Sequence, residues 1–219
     1  MDVKYVWSTK DAEQLIVKMA RVSAPKNADN METAPRLLKY LIKHKHWSPY
    51  EMANLCLEIY CPRAISQQII RHRSFSFQEF SQRYANVNEI GRVNIPHLRS
   101  QDNKNRQNSL NDLEQRLGPG VVADFYRRIQ THMEDGEHLY QEMVSAGVAK
   151  ECARAVLPLN SSTKLFMNGT LRSWIHYLEL RTDPSTQLEH RDVALKCRAH
   201  FESRFPTIAE ALWNTSLFK

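Results

Sequence analysis

The densest group of chemically capable side chains in this 219-residue sequence lies at residues 71–84, which read Arg-His-Arg-Ser-Phe-Ser-Phe-Gln-Glu-Phe-Ser-Gln-Arg-Tyr. Glu79, Ser81 and Arg83 follow one another at a spacing of two residues. In an extended segment this spacing points all three side chains to one face. A carboxylate, a hydroxyl and a guanidinium in a row could bind the polar edge of a nucleobase and a phosphate, because arginine can hold phosphate through two parallel hydrogen bonds.

The residues before this group predict a helix over residues 62–73. Pro62 suits its first turn, where a missing N–H costs nothing. Gln68 lies three residues before Arg71 and four before His72, so the three side chains could share one helical face. A cation near a helix end gains about 0.3–1 kcal/mol from the helix dipole, which accounts for one arginine, Arg71 or Arg73, without a ligand. An exposed turn with solvated charges is the alternative interpretation of the whole group.

The elements that must position this group are mostly helices. Residues 54–61 form the predicted strand, because aromatic and β-branched residues crowd a short stretch there. Residues 86–108 are polar and rich in asparagine, and a loop of this length often belongs to a functional lid. Apolar spacing predicts helices over 10–22, 31–44, about 109–156 with a break near 118–120, about 162–181, and a final pair in 184–213. This balance predicts a helix-rich α+β fold, with residues 1–219 as a single domain.

Composition favours anionic partners and gives no sign of export. Thirty Lys and Arg residues against 24 Asp and Glu residues give a net charge of +6 and a pI near 9.2. No apolar run reaches about 18 residues, and the N-terminus lacks an apolar signal region, so a soluble, cytoplasmic protein is expected. The four cysteines contain no CxxC pair and are expected to be reduced thiols. The nine histidines show no zinc-like spacing, so no metal site is predicted.

The sequence resembles the flavin-dependent thymidylate synthases. Their signature is Arg-His-Arg, a seven-residue gap and Ser, which stands here as residues 71–73 and Ser81. The match continues through Arg83 and Tyr84. Further patterns of the family follow in the same order along the chain, as Arg21-Val22-Ser23, His46-Trp47-Ser48-Pro49-Tyr50-Glu51, Arg154-Ala155-Val156-Leu157-Pro158, and Arg172, His176 and Arg181.

The resemblance implies both a fold and an activity. The family fold is a small antiparallel sheet flanked by helices. The activity is reductive methylation of dUMP to dTMP, with methylene-tetrahydrofolate as carbon donor and with NADPH, acting through FAD, as hydride source. The resemblance also implies a homotetramer with the site between subunits. The sequence contains no G-x-G-x-x-G, so FAD would not be held in the Rossmann manner.

The resemblance also assigns residue roles by position. Arg181 is the expected catalytic arginine, since a guanidinium near a uracil carbonyl would stabilise developing negative charge. Ser81 is the second catalytic candidate, but a serine nucleophile needs a nearby base, so its expected role is substrate binding. Flavin contacts are expected from Ser23, His46, Ser48, Arg71, His72, Arg73, Glu79, Arg172 and His176. Contacts with dUMP are expected from Gln68, Glu79, Ser81, Arg83, Arg154 and Arg181.

Several of these residues have a purely structural alternative. Ser23 and Ser48 could be helix N-caps. His46 could be an ordinary surface histidine. Arg154 could pair with Glu151, one helical turn earlier.

Two alternative functions also follow from the sequence. The first is a small basic nucleic-acid-binding protein, which would use exposed Phe75 and Phe77 and the basic loop residues Arg92, Arg99, Lys104 and Arg106. No nucleic-acid motif is visible, and the basic residues lie in separate patches, so neither a nucleic acid nor a membrane is the expected partner. The second is a flavoprotein of the same fold that acts on another pyrimidine or folate.

Overall fold

A computed structural model describes residues 1–90 and 95–213 of the chain. Its strands are β1 (Asp2–Ser8), β2 (Asn54–Pro62), β3 (Ser76–Glu79), β4 (Ser100–Gln101), β5 (Ser109–Leu110) and β6 (Ser162–Thr170). Its α-helices are α1 (Ala12–Ala20), α2 (Ala34–Lys43), α3 (Arg63–Ile69), α4 (Leu113–Leu117), α5 (Pro119–Ser145), α6 (Lys150–Ala153), α7 (Leu171–Arg181), α8 (Leu188–Arg204) and α9 (Pro206–Trp213).

The main sheet is antiparallel, with strand order β1-β2-β6-β3. The two central strands pair along their whole length, from Asn54 opposite Thr170 to Pro62 opposite Ser162. Alternate residues of β2 face the helices and are fully buried, as their period of two requires. The predicted fold class, helix-rich α+β with a small antiparallel sheet, is confirmed.

The prediction of one helix over 162–181 is wrong in its first half. Residues Ser162–Thr170 form strand β6, and α7 begins directly after it. Thr163, Leu165 and Met167 alternate with half-buried residues, which is strand spacing. Pairing with β2 on one side and β3 on the other gives β6 partners for its backbone, which overrides local preference. The side chain of Thr170 then caps α7 by accepting from the N–H of Ser173 at 3.2 Å.

The helix predicted over 62–73 ends early, at Ile69. In the turn that follows, the ring of Phe75 is buried against Trp174 and Tyr177, with centroids 5.0 and 5.9 Å away. A Cβ at Gly169 would lie 2.4 Å from this ring, so a glycine in β6 makes room for it. The interpretation of Phe75 as an exposed aromatic is therefore wrong, and Phe77 is half-buried.

The region predicted as a long loop holds more structure than expected. It contains a 3-10 turn at Val87–Ile90 and strand β4, which pairs with β5 just after the region, whereas Arg92 lies outside the described residues. The break predicted near 118–120 is confirmed: Gly118, with φ of 84°, separates α4 from α5.

In the described part of the chain, no helix has the length and apolar character needed to cross a membrane.

Candidate active site

The turn at residues 71–73, between α3 and β3, directs its middle side chain into the protein. Arg71 and Arg73 are exposed, whereas His72 is half-buried. Nε2 of His72 accepts a hydrogen bond from Nε of Arg181 at 2.9 Å. The histidine ring also packs edge-on against Tyr177, with centroids 4.9 Å apart. The signature turn is thereby fixed to the C-terminal end of α7.

His72 is neutral at neutral pH. Burial, followed by the charge of Arg181 and then by His176, lowers its pKa from 6.5 to about 4. Because Nε2 accepts the bond from Arg181, the single ring proton must be on Nδ1. Arg181 uses Nε for this bond, so its two terminal amino groups are the ones that can face a ligand.

Helix α3 ends at Ile69, so Arg71 and His72 do not continue the helix that carries Gln68. The expected shared helical face is therefore wrong. Nε2 of Gln68 donates to Oε1 of Gln187 at 2.7 Å, and Oε1 of Gln68 lies 3.2 Å from Nδ1 of His190.

Sequence reasoning missed His190, which is fully buried and lies 3.1 Å from the Tyr177 hydroxyl through Nε2. The sequence does contain a signal for it. Val193, Ala194 and Cys197 follow His190 at three, four and seven residues and are also buried. A histidine at this spacing lies on the core face of its helix.

Half-buried His72 and fully buried His190 make stability depend on pH. The folded pKa is about 4 for His72 and about 3 for His190, both below the ordinary 6.5. The unfolded chain therefore binds more protons across this window, and we expect the free energy of unfolding to fall as pH drops from about 6.5 towards 4. Urea titrations at pH 7 and pH 5 should show this loss. The loss of stability should be smaller in His190→Asn. An equal loss in both proteins would contradict the assignment of this pH dependence to His190.

Glu79, the last residue of β3, turns partly inward. Its Oε1 accepts hydrogen bonds from the hydroxyls of Ser66 at 2.7 Å and Thr163 at 3.0 Å, and Arg63 lies 3.7 Å away. The side chain is 20% exposed. These contacts hold the carboxylate in place and leave Oε2 as the oxygen that can face a ligand.

The expected extended row of Glu79, Ser81 and Arg83 is wrong after its first member. The N–H groups of Tyr84 and Ala85 both bind the carbonyl of Ser81, at 3.1 Å each, and close a turn. Ser81 therefore starts a turn, in which Arg83 is exposed.

Arg83 instead faces α6. It forms an ion pair with Glu151, 3.1 Å between Nη2 and Oε2, with both side chains exposed. The alternative that Glu151 pairs with Arg154 is wrong, and across residues 1–90 and 95–213 Arg154 has no ion pair. Arg154 begins the 3-10 turn Arg154–Val156 directly after α6, and it is exposed.

Two of the nine residues expected on the flavin side, Arg172 and His176, line a cleft of about 410 Å³ beside α7. Arg172 and His176 come from successive turns of α7, and Arg172 forms an ion pair with Glu51 of the His46–Glu51 pattern. Ser74, next to the signature turn, completes this wall, and its carbonyl accepts from Ser173 at 3.2 Å.

The structural alternatives for the two serines are wrong. Ala24 precedes the 3-10 turn after Ser23, and Trp47 occupies the N-cap before Ser48. Ser23, Ser48 and His46 are all exposed, and the His46 ring lies 6.0 Å from that of Tyr40.

The structure thus brings some expected site residues together and leaves others apart. His72 contacts Arg181 at the C-terminal end of α7, Arg172 and His176 line the cleft beside α7, and Arg83 pairs with Glu151 of α6. Among the described residues, no group of three or more His, Cys, Asp or Glu side chains is placed to hold a metal ion. All four cysteines are free thiols, and Cys152 is the exposed one.

Comparison with known sequences gives a consistent set of relatives. The family described as "Thy1: Thymidylate synthase complementing protein" matches residues 4–207. A probable flavin-dependent thymidylate synthase of Paramecium bursaria Chlorella virus 1 is 49% identical over 202 residues, covering 92% of this chain and 90% of the relative. A flavin-dependent thymidylate synthase of Synechocystis sp. is 44% identical, covering 97% of this chain and 99% of the relative.

Solved structures agree with this grouping. The UMP/dUMP methylase PolB from Streptomyces cacaoi, bound with 5-Br dUMP, superposes with a TM-score of 0.81 at 27% identity. The match covers 96% of this chain and 93% of that one.

Proposed function

This chain belongs to the family of thymidylate synthase complementing proteins, and we propose that it is a flavin-dependent thymidylate synthase. It converts dUMP to dTMP by reductive methylation, with methylene-tetrahydrofolate as carbon donor and NADPH, through FAD, as hydride source. The observation that carries the proposal is the contact between the signature turn and α7, in which neutral His72 holds the guanidinium of Arg181.

The residues beside α7 fit a flavin nucleotide. FAD is anionic and carries a ring edge with donors and acceptors. This wall supplies one cation, Arg172, an imidazole and two serines, beside the carboxylates of Glu51 and Glu179. Bound FAD would carry reducing equivalents from NADPH to the substrate. We assign its binding to Ser23, His46, Ser48, Arg71, His72, Arg73, Glu79, Arg172 and His176.

Arg181 has the geometry of an electrostatic catalyst. Its Nε–H is held by His72, which fixes the plane of the guanidinium and leaves the terminal amino groups to stabilise negative charge on the uracil ring. A neutral imidazole suits this task because a protonated one could not accept the bond and would repel the arginine.

Arg83 and Arg154 are assigned to the dUMP phosphate, together with Gln68, Glu79 and Ser81 around the nucleoside. Arg83→Ala is expected to weaken dUMP binding by about 10- to 100-fold, since a charge-assisted hydrogen bond contributes about 1.5–3 kcal/mol. FAD binding should change little. Titration of each ligand by flavin absorbance or calorimetry checks this. An equal loss of affinity for dUMP and FAD would show that the site residues are wrongly divided between the two ligands.

Ser81→Ala is expected to leave measurable turnover, because no base that could activate its hydroxyl contacts Ser81 within the described residues. Single-turnover assays with dUMP bound would measure this. Complete loss of product, with dUMP affinity unchanged, would instead assign a nucleophilic role to Ser81.

We also propose that the enzyme is a homotetramer with its site between subunits. What supports this is the exposure, on one chain, of residues assigned to ligands: Ser23, His46, Ser48, Arg71, Arg73, Arg83, Arg154 and Arg172. Light scattering would test the mass, and mixing two inactive variants with defects on opposite sides of the site would test shared sites. The single-domain organisation and the cytoplasmic location stay predictions.

The function is tested by assaying dTMP formation from dUMP and methylene-tetrahydrofolate under low oxygen, with and without FAD and NADPH. Product that requires both cofactors supports the proposal. Oxidation of NADPH without product would contradict the proposal that dUMP is the substrate. UMP should be compared with dUMP, because the structural neighbour is described as a UMP/dUMP methylase.

Nothing favours the nucleic-acid-binding alternative. Of its supporting residues, Phe75 is buried and Arg99 is engaged by Glu189. Arg92 lies outside the described residues.

A further inference from the structure

The side chain of Gln68 is held at both ends by a chain of hydrogen bonds. The chain begins at Arg99, which binds both carboxylate oxygens of Glu189 at 2.7 and 3.0 Å. Oε2 of Glu189 accepts from Nε2 of Gln187 at 2.9 Å, and Gln187 accepts from Gln68 at 2.7 Å. Beyond Gln68 the chain continues to His190 at 3.2 Å and, from there, to the Tyr177 hydroxyl at 3.1 Å.

The direction of every bond in this chain follows from its first member. An ionised carboxylate can only accept, so Gln187 must present its amide nitrogen to Glu189 and its oxygen to Gln68. Gln68 must then present its nitrogen to Gln187 and its oxygen to His190. Nδ1 of His190 must therefore carry the proton, and Nε2 accepts from Tyr177.

His190 can fill this position because it is neutral. It is fully buried, and burial, then Arg181, then His72 lower its pKa to about 3. A neutral imidazole offers one N–H and one lone pair on opposite sides of the ring, which matches an amide oxygen on one side and a hydroxyl on the other. An aliphatic side chain would leave the Gln68 oxygen without its donor and the Tyr177 hydroxyl without its acceptor.

We propose that His190 is a positioning residue for dUMP, which acts by fixing the amide of Gln68 in one orientation. The proposal rests on the assignment of Gln68 to dUMP. With both ends held, Gln68 keeps one N–H and one lone pair for the nucleotide, in a fixed geometry. Binding then requires less ordering of the side chain, which is the advantage of a preorganised site.

The test distinguishes the roles of the two ring nitrogens of His190. Asparagine places its amide nitrogen near the position of Nδ1, whereas glutamine reaches the position of Nε2. His190→Asn should keep the donor to Gln68 and bind dUMP nearly as wild type. His190→Gln should keep the partner of Tyr177, lose the donor to Gln68, and raise the Kd for dUMP about 10-fold with FAD binding unchanged.

A double-mutant cycle decides whether the effect passes through Gln68. In a Gln68→Ala background, His190→Gln should have no further effect on dUMP binding. Additive effects, or equal losses for Asn and Gln, would overturn the proposal. If His190→Gln does not fold, His190→Leu serves in the same cycle, because it also lacks the donor to Gln68.

Two controls complete the experiment. Gln67, the exposed neighbour of Gln68 on α3, provides Gln67→Ala, which should bind dUMP as wild type does. Failure of wild type to bind dUMP would contradict the proposed function itself. Wild-type binding with an additive cycle would contradict only the role of His190.

Discussion

Replacing Arg181 by alanine is expected to lower kcat for dTMP formation by about 100- to 1,000-fold, the loss typical when one preorganised charge-stabilising donor is removed. The guanidinium is held through Nε by neutral His72, so its terminal amino groups are fixed in one orientation. A group held in this way stabilises charge as it develops, without reorganising. Single-turnover rates at saturating dUMP would measure the effect on chemistry.

Two further variants sharpen this expectation. Arg181→Lys keeps the charge but loses the planar fork, so it should recover only part of the rate. Arg128→Ala, which removes an exposed arginine of α5, should leave the rate unchanged. A normal single-turnover rate in Arg181→Ala, with only the KM for dUMP raised, would show that Arg181 binds substrate without stabilising the transition state.

Breaking the Arg99–Glu189 ion pair should cause a larger loss of stability than breaking an exposed ion pair. The two side chains are only 10% and 13% exposed, and the pair is bidentate. Arg99→Met would leave the Glu189 carboxylate buried without its partner, at a cost of about 3–5 kcal/mol in the free energy of unfolding. Chemical denaturation would measure it.

The charge, rather than the packing, should account for this loss. The double variant Arg99→Met with Glu189→Leu should therefore recover much of the stability. The Arg127–Asp124 pair, with side chains 70% and 48% exposed, is the matched control, and Arg127→Met should cost at most about 1 kcal/mol. Equal losses at the two pairs would contradict the argument from burial.

The same pair has an expected pH signature. Burial raises the pKa of Glu189, but the hydrogen bonds from Arg99 and Gln187 outweigh it, and the net pKa is lowered. A carboxyl whose folded pKa is lowered stabilises the protein fully above its unfolded pKa, and this contribution is lost as pH falls through the folded value. Glu189→Gln should remove this part of the acid sensitivity.

The family, and with it the activity, could be predicted from the sequence because both depend on residue types at fixed spacings. The seven-residue gap between Arg73 and Ser81 is read directly from the sequence, so it is recognised even where the secondary structure is predicted wrongly. Strand β2 and the break at Gly118 were also predicted correctly, because a short apolar run that ends at a proline and a glycine both act locally.

Only the tertiary structure decided how those residues point. Strand β6 was misread as helix because pairing on both edges, which no local pattern records, overrides propensity. Glu79 turns inward since Ser66 and Thr163, remote in sequence, offer it hydroxyls. His190 is missed because its partners come from α3 and α7. Sequence spacing therefore determined which chemistry this chain carries, whereas contacts between distant segments determined the orientation and protonation of the groups that perform it.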